Sequence, residues 1–207
     1  MIRRPRITRI LGASIAALTL ALACQDEGQG QQDDVDDEVD VDAILDDWPE
    51  TNREVANLAR VKYGEPDEAT ARMLIWYDND PWMRTVVHRE GIQHDFPTPH
   101  LDIMEQTIPY QVPVDRFDDV AELNGSVVLE RTNGLMTIRS NREDISFLSL
   151  NLAHDVAVGD RTPVEARAFH HDMVIALERG ESPPYTQEFL FDVPSHSITK
   201  DPDSPAH

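Results

Sequence analysis

VVLERTNGLMTIRS, residues 127–140, is the stretch that most limits how this chain can fold. Two six-residue β-prone runs flank Asn133–Gly134, a dipeptide that tolerates the positive φ angles at both central positions of a type I′ turn. The pattern predicts an antiparallel hairpin. Two more strand-like runs, ARMLIWY (71–77) and RTVVHRE (84–90), are separated by the turn signal Asp78–Asn79–Asp80–Pro81.

Helical signals stand on either side. TNREVANLARVKYGEP (51–66) opens with a capping box from Thr51 to Glu54. It carries Val55, Leu58, Ala59 and Lys62 at helical spacing, and stops at Gly64 with Pro66 beyond. After the hairpin the period changes. Ser140 and Glu143 form another capping box, followed by Ile145, Leu148, Leu152 and Val156 up to Gly159. Thr162–Pro163–Val164–Glu165 then combines an N-cap, a proline at the first helical position and an N3 glutamate, opening a helix that runs to Gly180. So short a connection predicts an antiparallel helical hairpin. The segment SPPYTQEFLFDV (182–193) closes the domain, with a short edge strand expected there. The expected class is α+β: an N-terminal helix, a small antiparallel sheet with a type I′ hairpin, and a C-terminal helical hairpin on one face.

The start of the chain has a different character. Arg3, Arg4, Arg6 and Arg9 precede an apolar run from Ile10 to Leu22, and Ala21–Leu22–Ala23 leads into Cys24, the one cysteine of 207 residues. This is the layout of a secretory signal, too short to span a bilayer as a helix. At Cys24 the stretch resembles the lipobox of bacterial lipoproteins, with Leu20 four residues before the cysteine and Ala21 where the family favours leucine. The resemblance implies cleavage before Cys24 and its lipidation, for example by palmitate. A stable anchor needs at least two chains, and the family carries about three. Gln25 after the cysteine implies the outer membrane where the host has one, and otherwise the outer face of the cell membrane.

Residues 25–47 contain no basic side chain and almost no large apolar one, which predicts a disordered, self-repelling tether. The expected organisation is a signal over 1–23, the lipidated cysteine and tether over 24–47, one domain over 48–193 and a disordered tail over 194–207. With 39 acidic against 18 basic residues and a net charge of −21, the chain is a poor partner for nucleic acid. The membrane, through the anchor, and another envelope protein are the expected partners.

A further local likeness concerns VKYGEPDEATARMLIWYDNDPW (61–82), which is similar to the helix, Gly-x-Pro, strand, Trp-x-Tyr element of outer-membrane assembly lipoproteins of the BamE (SmpA/OmlA) type. The domain as a whole resembles an uncharacterised family of exported bacterial proteins, a likeness that implies no activity.

Chemistry-bearing residues gather in HREGIQHDFPTPHLDIME (88–105). His94, His100, Asp102 and Glu105 form a plausible zinc set, provided the chain folds back on itself at Gly91, Pro97 and Pro99. His170 and His171 are adjacent on a helix and diverge by about 100°, so they do not chelate one ion together. No Gly-x-Ser-x-Gly elbow, His-Glu-x-x-His pair or glycine-rich phosphate loop occurs, and no cofactor is implied. Trp76, Tyr77 and Trp82 bracket the 78–81 turn and are candidate partner anchors, with Trp82 expected to be partly exposed. Two functional readings result. The first is a non-enzymatic binding or assembly lipoprotein of the cell envelope. The second is a metal-binding protein or metal-dependent hydrolase using His94, His100 and neighbouring carboxylates.

Overall fold

The computed structural model describes residues 39–194. The signal, Cys24, most of the acidic tether and the tail from 195 onward lie outside the described residues. Helices α1 (Val41–Asp46) and α2 (Glu50–Tyr63) lead into β1 (Glu68–Ala69), β2 (Met73–Asn79), β3 (Trp82–His94) and β4 (His100–Pro109). Helix α3 (Phe117–Leu123) precedes the hairpin β5 (Val127–Glu130) and β6 (Leu135–Ser140). Helices α4 (Glu143–Val158) and α5 (Pro163–Glu178) follow. The six strands form one antiparallel sheet in the order β1-β2-β3-β4-β6-β5, so the fold is α+β.

Strand register decides which side chains are covered. Leu74 pairs with Val87, Val87 with Met104, and Ile108 with Met136, so these residues share one face. Ala56 and Ala59 of α2 pack on Leu74, Trp76, Val87 and Met104. Leu148, Leu152 and Val156 of α4 join the cluster containing Ile108, Met136 and Ile138. Small residues on α2 let its backbone come close to the sheet. α4 is buried over nearly all of 146–153 because α5, α3 and the C-terminal segment enclose its outer side.

Local signals differ from the structure at identifiable places. α2 begins at Glu50, one residue ahead of Thr51, and its Thr51 side chain makes no cap bond. Its sheet-facing stripe is Asn52, Ala56 and Ala59, while Leu58 is 70 % exposed. The last part of the expected tether is folded: α1 occupies 41–46, with Asp40 accepting from the Ala43 amide, and buries Leu45 beside Trp48. Those two apolar side chains are what the acidic composition obscured. The β5–β6 turn is a four-residue loop, since Glu130 pairs with Leu135. Gly134 has φ 63° but Asn133 does not adopt positive φ, so the turn is not type I′; Asn133 instead donates to the Glu130 carboxylate. The 182–193 segment forms a 3₁₀ turn (Pro184–Thr186) rather than an edge strand. Asn151, buried on α4, donates to the Tyr185 and Glu188 carbonyls and accepts from the Leu190 amide, satisfying backbone groups that a strand would have paired. The Thr162–Glu165 capping box forms in full.

The second expected box does not, and its glutamate is used otherwise. Glu143 opens α4, and its carboxylate accepts from Trp82 Nε1 at 2.8 Å, from the Tyr63 hydroxyl and from Lys62 Nζ. Tyr63 in turn accepts from Gln106 Nε2 at 3.1 Å, in the middle of the covered sheet face. Glu143→Ala leaves the Trp82 and Tyr63 donors without their acceptor. The domain is expected to lose about 3 kcal/mol, read by urea unfolding, with Glu143→Gln losing less because it keeps an acceptor oxygen.

Candidate metal centre

A β-bulge places the site. Between Val87 and Ile92 strand β3 advances five residues, while β4 advances two between Met104 and Asp102. This odd surplus reverses which side of the sheet the later β3 residues face. Val87 points to the helix-covered side, so without the bulge His94 would point the other way. With it, His94 pairs with His100 and Ile92 with Asp102, and all of them share the covered side. Gly91 lies in the bulge, where a Cβ would come within 3.0 Å of the Leu101 Cβ. Asn52 of α2 donates to the carbonyls of His88 and Arg89 at 3.0 and 2.9 Å, pairing bulge oxygens that have left the ladder.

The fold-back that shared ligation required is therefore the β3–β4 hairpin. One donor atom from each of His94, His100 and Asp102 lies within 4.8 Å of the others. Asp102 is 5 % exposed. Its Oδ2 is 3.5 Å from His94 Nδ1, and its Oδ1 is 3.2 Å from His100 Nε2. The latter contact lacks hydrogen-bond alignment, and Oδ1 has no other partner. On the other side of the His100 ring, Nδ1 lies 2.7 Å from the Thr98 carbonyl oxygen. Ser126 donates to Asp102 Oδ2 at 2.5 Å and sits 3.1 Å from His94 Nδ1.

The two imidazoles titrate in opposite senses. The Asp102 carboxylate raises the His100 pKa above its usual value, against the effect of burial. Burial lowers that of His94, with Asp102 opposing. Because Ser126 and Asp102 both meet His94 at Nδ1, the ring cannot pass a proton from one to the other as a serine-hydrolase triad does.

Glu105 does not join the site. It is three residues from Asp102 on β4, an odd step that puts it on the open face. There Arg139 donates to it at 2.8 Å and His88 lies at 3.3 Å, and these partners, His88 foremost, hold its pKa at about 2. Trp82 is 1 % exposed rather than accessible, packed between Phe147 and Phe189 at 5.0 and 5.1 Å. Trp76 is also buried, donating to the Gly64 carbonyl. Of the three expected anchors only Tyr77 is open to a partner, 45 % exposed.

Three residues near the site carried no signal that marked them in advance. Ser126 follows Asn124–Gly125, where the Asn124 side chain accepts from the Ser126 amide; that Asx turn was legible as a turn but not as a support for His94. Asn52 looked like an ordinary polar helix residue. His170 is buried. Its Nε2 contacts Ser149 Oγ at 3.1 Å, its Nδ1 has no partner, and its ring lies 5.2 Å from that of Phe96. The Arg167 guanidinium also lies over the Phe96 ring, 3.9 Å from its centre, tying the 95–99 loop to α5. No family model matches the chain, and neither the curated proteins nor the solved structures supply a match.

Burial, helped by the nearby His94, His100 and Arg167, pushes the His170 pKa down to about 4. The unfolded chain, with an ordinary histidine near 6.5, takes up a proton that the fold refuses. Stability from this residue is complete above pH 6.5 and is lost as pH falls towards 4. By linkage the loss at pH 4.5 is on the order of 2 kcal/mol. Urea unfolding at pH 7 and pH 4.5 should show His170→Asn losing less stability on acidification than the parent.

Proposed function

We propose that the chain is a lipoprotein of the bacterial cell envelope, anchored through Cys24, whose domain binds a divalent transition-metal ion of the zinc type on His94, His100 and Asp102. One observation carries the metal reading: two acceptors face each other in the interior. A carbonyl oxygen only accepts, so the Thr98 contact keeps the proton of neutral His100 on Nδ1. Its Nε2 then carries a lone pair and lies 3.2 Å from Asp102 Oδ1, an oxygen that no donor satisfies. A proton on His100 relieves this arrangement, and so does a metal ion bound by both atoms.

The spacing supports it. Bonds of about 2.0–2.2 Å around a tetrahedral zinc place its donors about 3.3–3.6 Å apart. The imidazole–carboxylate separations are of that order, 3.2 Å to Oδ1 for His100 and 3.5 Å to Oδ2 for His94, and one donor atom from each of the three residues lies within 4.8 Å of the others. A metal-bound histidine ordinarily donates its second N–H to a carbonyl or carboxylate, as His100 does to Thr98. Ser126 orients the carboxylate in the same way. The reading is of a binding module rather than an enzyme. Its acidic tether would hold the domain off an anionic lipid surface.

The full-length protein, purified in detergent, is expected to carry one zinc per chain by elemental analysis. His100→Ala should weaken zinc binding by about a hundredfold or more, and chelation should lower the unfolding temperature of the parent but not of the variant. A metal-free parent that also fails to bind added zinc would overturn the metal reading. The anchor is tested separately: Cys24→Ser should move the protein out of the membrane fraction and abolish its labelling by fed palmitate.

A further inference from the structure

We infer that the bound ion keeps one coordination position for a small exogenous anion, and that a short carboxylate is the chemical class that fits it. The inference rests on the metal reading above and deepens it. The cluster supplies three donors, and among the described residues no fourth histidine, cysteine or carboxylate joins them. Zinc held by three protein ligands takes its fourth from solvent or substrate. Ser126 is near, but its hydroxyl proton is committed to Asp102, which leaves it a weak neutral ligand.

Charge selects an anion. A divalent ion with one carboxylate ligand retains a single positive charge, and Arg167 on α5 adds another within electrostatic reach of His94. Asp95, exposed and bound to Gln93, offsets this only through solvent. A half-buried net positive charge is relieved by a monoanion.

Space then limits its size. Both imidazoles are partly exposed, at 19 and 17 % of their side chains, so the site is not sealed. His100 forms part of the wall of a 90 Å³ cavity shared with Thr98, Val174 and Leu177, whose charged members are Arg142 and Glu178. That is room for about three waters, enough for acetate and too little for a long chain. Val174 and Leu177 of α5 give this cavity an apolar part suited to the methyl end of a ligand whose carboxylate would reach the ion beside His100, the one ligand that lines it.

Cobalt(II), loaded into the metal-free full-length protein in detergent, reports on this directly through its visible absorption. Acetate is expected to shift the cobalt bands in a saturable way. Leu177→Trp, which fills the cavity from a partly exposed position, should keep the cobalt spectrum and weaken acetate binding by about tenfold or more, the equivalent of about 1.4 kcal/mol. Leu177→Ala should instead admit butyrate, which the parent binds poorly. Cobalt bands indifferent to acetate would overturn the open position while leaving the metal site standing. Acetate binding unchanged in both variants would overturn the cavity as its seat. If no cobalt binds, this inference falls together with the reading it rests on.

Discussion

One carboxylate joins the parts of this domain. Glu143 sits at the first turn of α4 and accepts hydrogen bonds from side chains at the end of α2 and the start of β3. The apolar interior is otherwise two clusters, one under α2 and one under α4, and Tyr63 packs against both. Glu143 fixes Tyr63, Tyr63 receives Gln106, and Gln106 reaches Thr85, a polar column through the covered face of the sheet. Hydrophobic burial alone does not fix how far α4 slides along the sheet, because it is indifferent to direction. Directional bonds to three fixed donors do, and a helix N-terminus favours the negative charge that makes them.

The position of α4 propagates to the candidate metal centre. α5 packs on α4, and Ser149 of α4 meets His170 of α5. His170 and Arg167 enclose Phe96, which lies in the loop between His94 and His100. The ligand-bearing hairpin is thus held at its tip by α5 and at its base by Asn52 of α2, which pairs the bulge carbonyls. Two helices far apart in sequence fix a site whose ligands all come from one hairpin. Ligand geometry good to a fraction of an ångström requires such outer support.

Much of this architecture is legible from sequence where the signal is local. The helix opened by Thr162, Pro163 and Glu165 begins where its capping chemistry requires, because those bonds are made within one turn. The hairpin at 127–140 exists, but its turn is set by strand register over several residues and not by Asn133–Gly134 alone. α1 escaped notice since two buried side chains, Leu45 and Trp48, stabilise a segment whose composition is otherwise that of a solvated tether. For the candidate site, the structure brings together His94, His100 and Asp102 of the four residues the sequence suggested, leaves Glu105 on the other face, and adds Ser126, which the sequence did not mark. The causes differ: Glu105 is three residues from Asp102 on β4, an odd step that puts it on the opposite face, whereas Ser126 reaches Asp102 across 24 residues through tertiary packing that has no local signature.

The same parity explains why only one of two neighbouring carboxylates on β4 is suited to an ion. Glu105, on the open face, has a fixed cation in Arg139 and needs nothing more. Asp102, on the covered face, has ion-pair contacts among the described residues only with His94 and His100, whose charge is conditional on a proton. A buried carboxylate without a permanent cation is unstable unless something supplies the charge. The fold compensates partly with the Ser126 hydroxyl and leaves the remainder to two imidazoles that cannot both be neutral and satisfy it. An arrangement built only for stability would have placed an arginine there, as it did three residues further along. The missing charge at Asp102 is the physical basis for assigning the metal to this end of the hairpin.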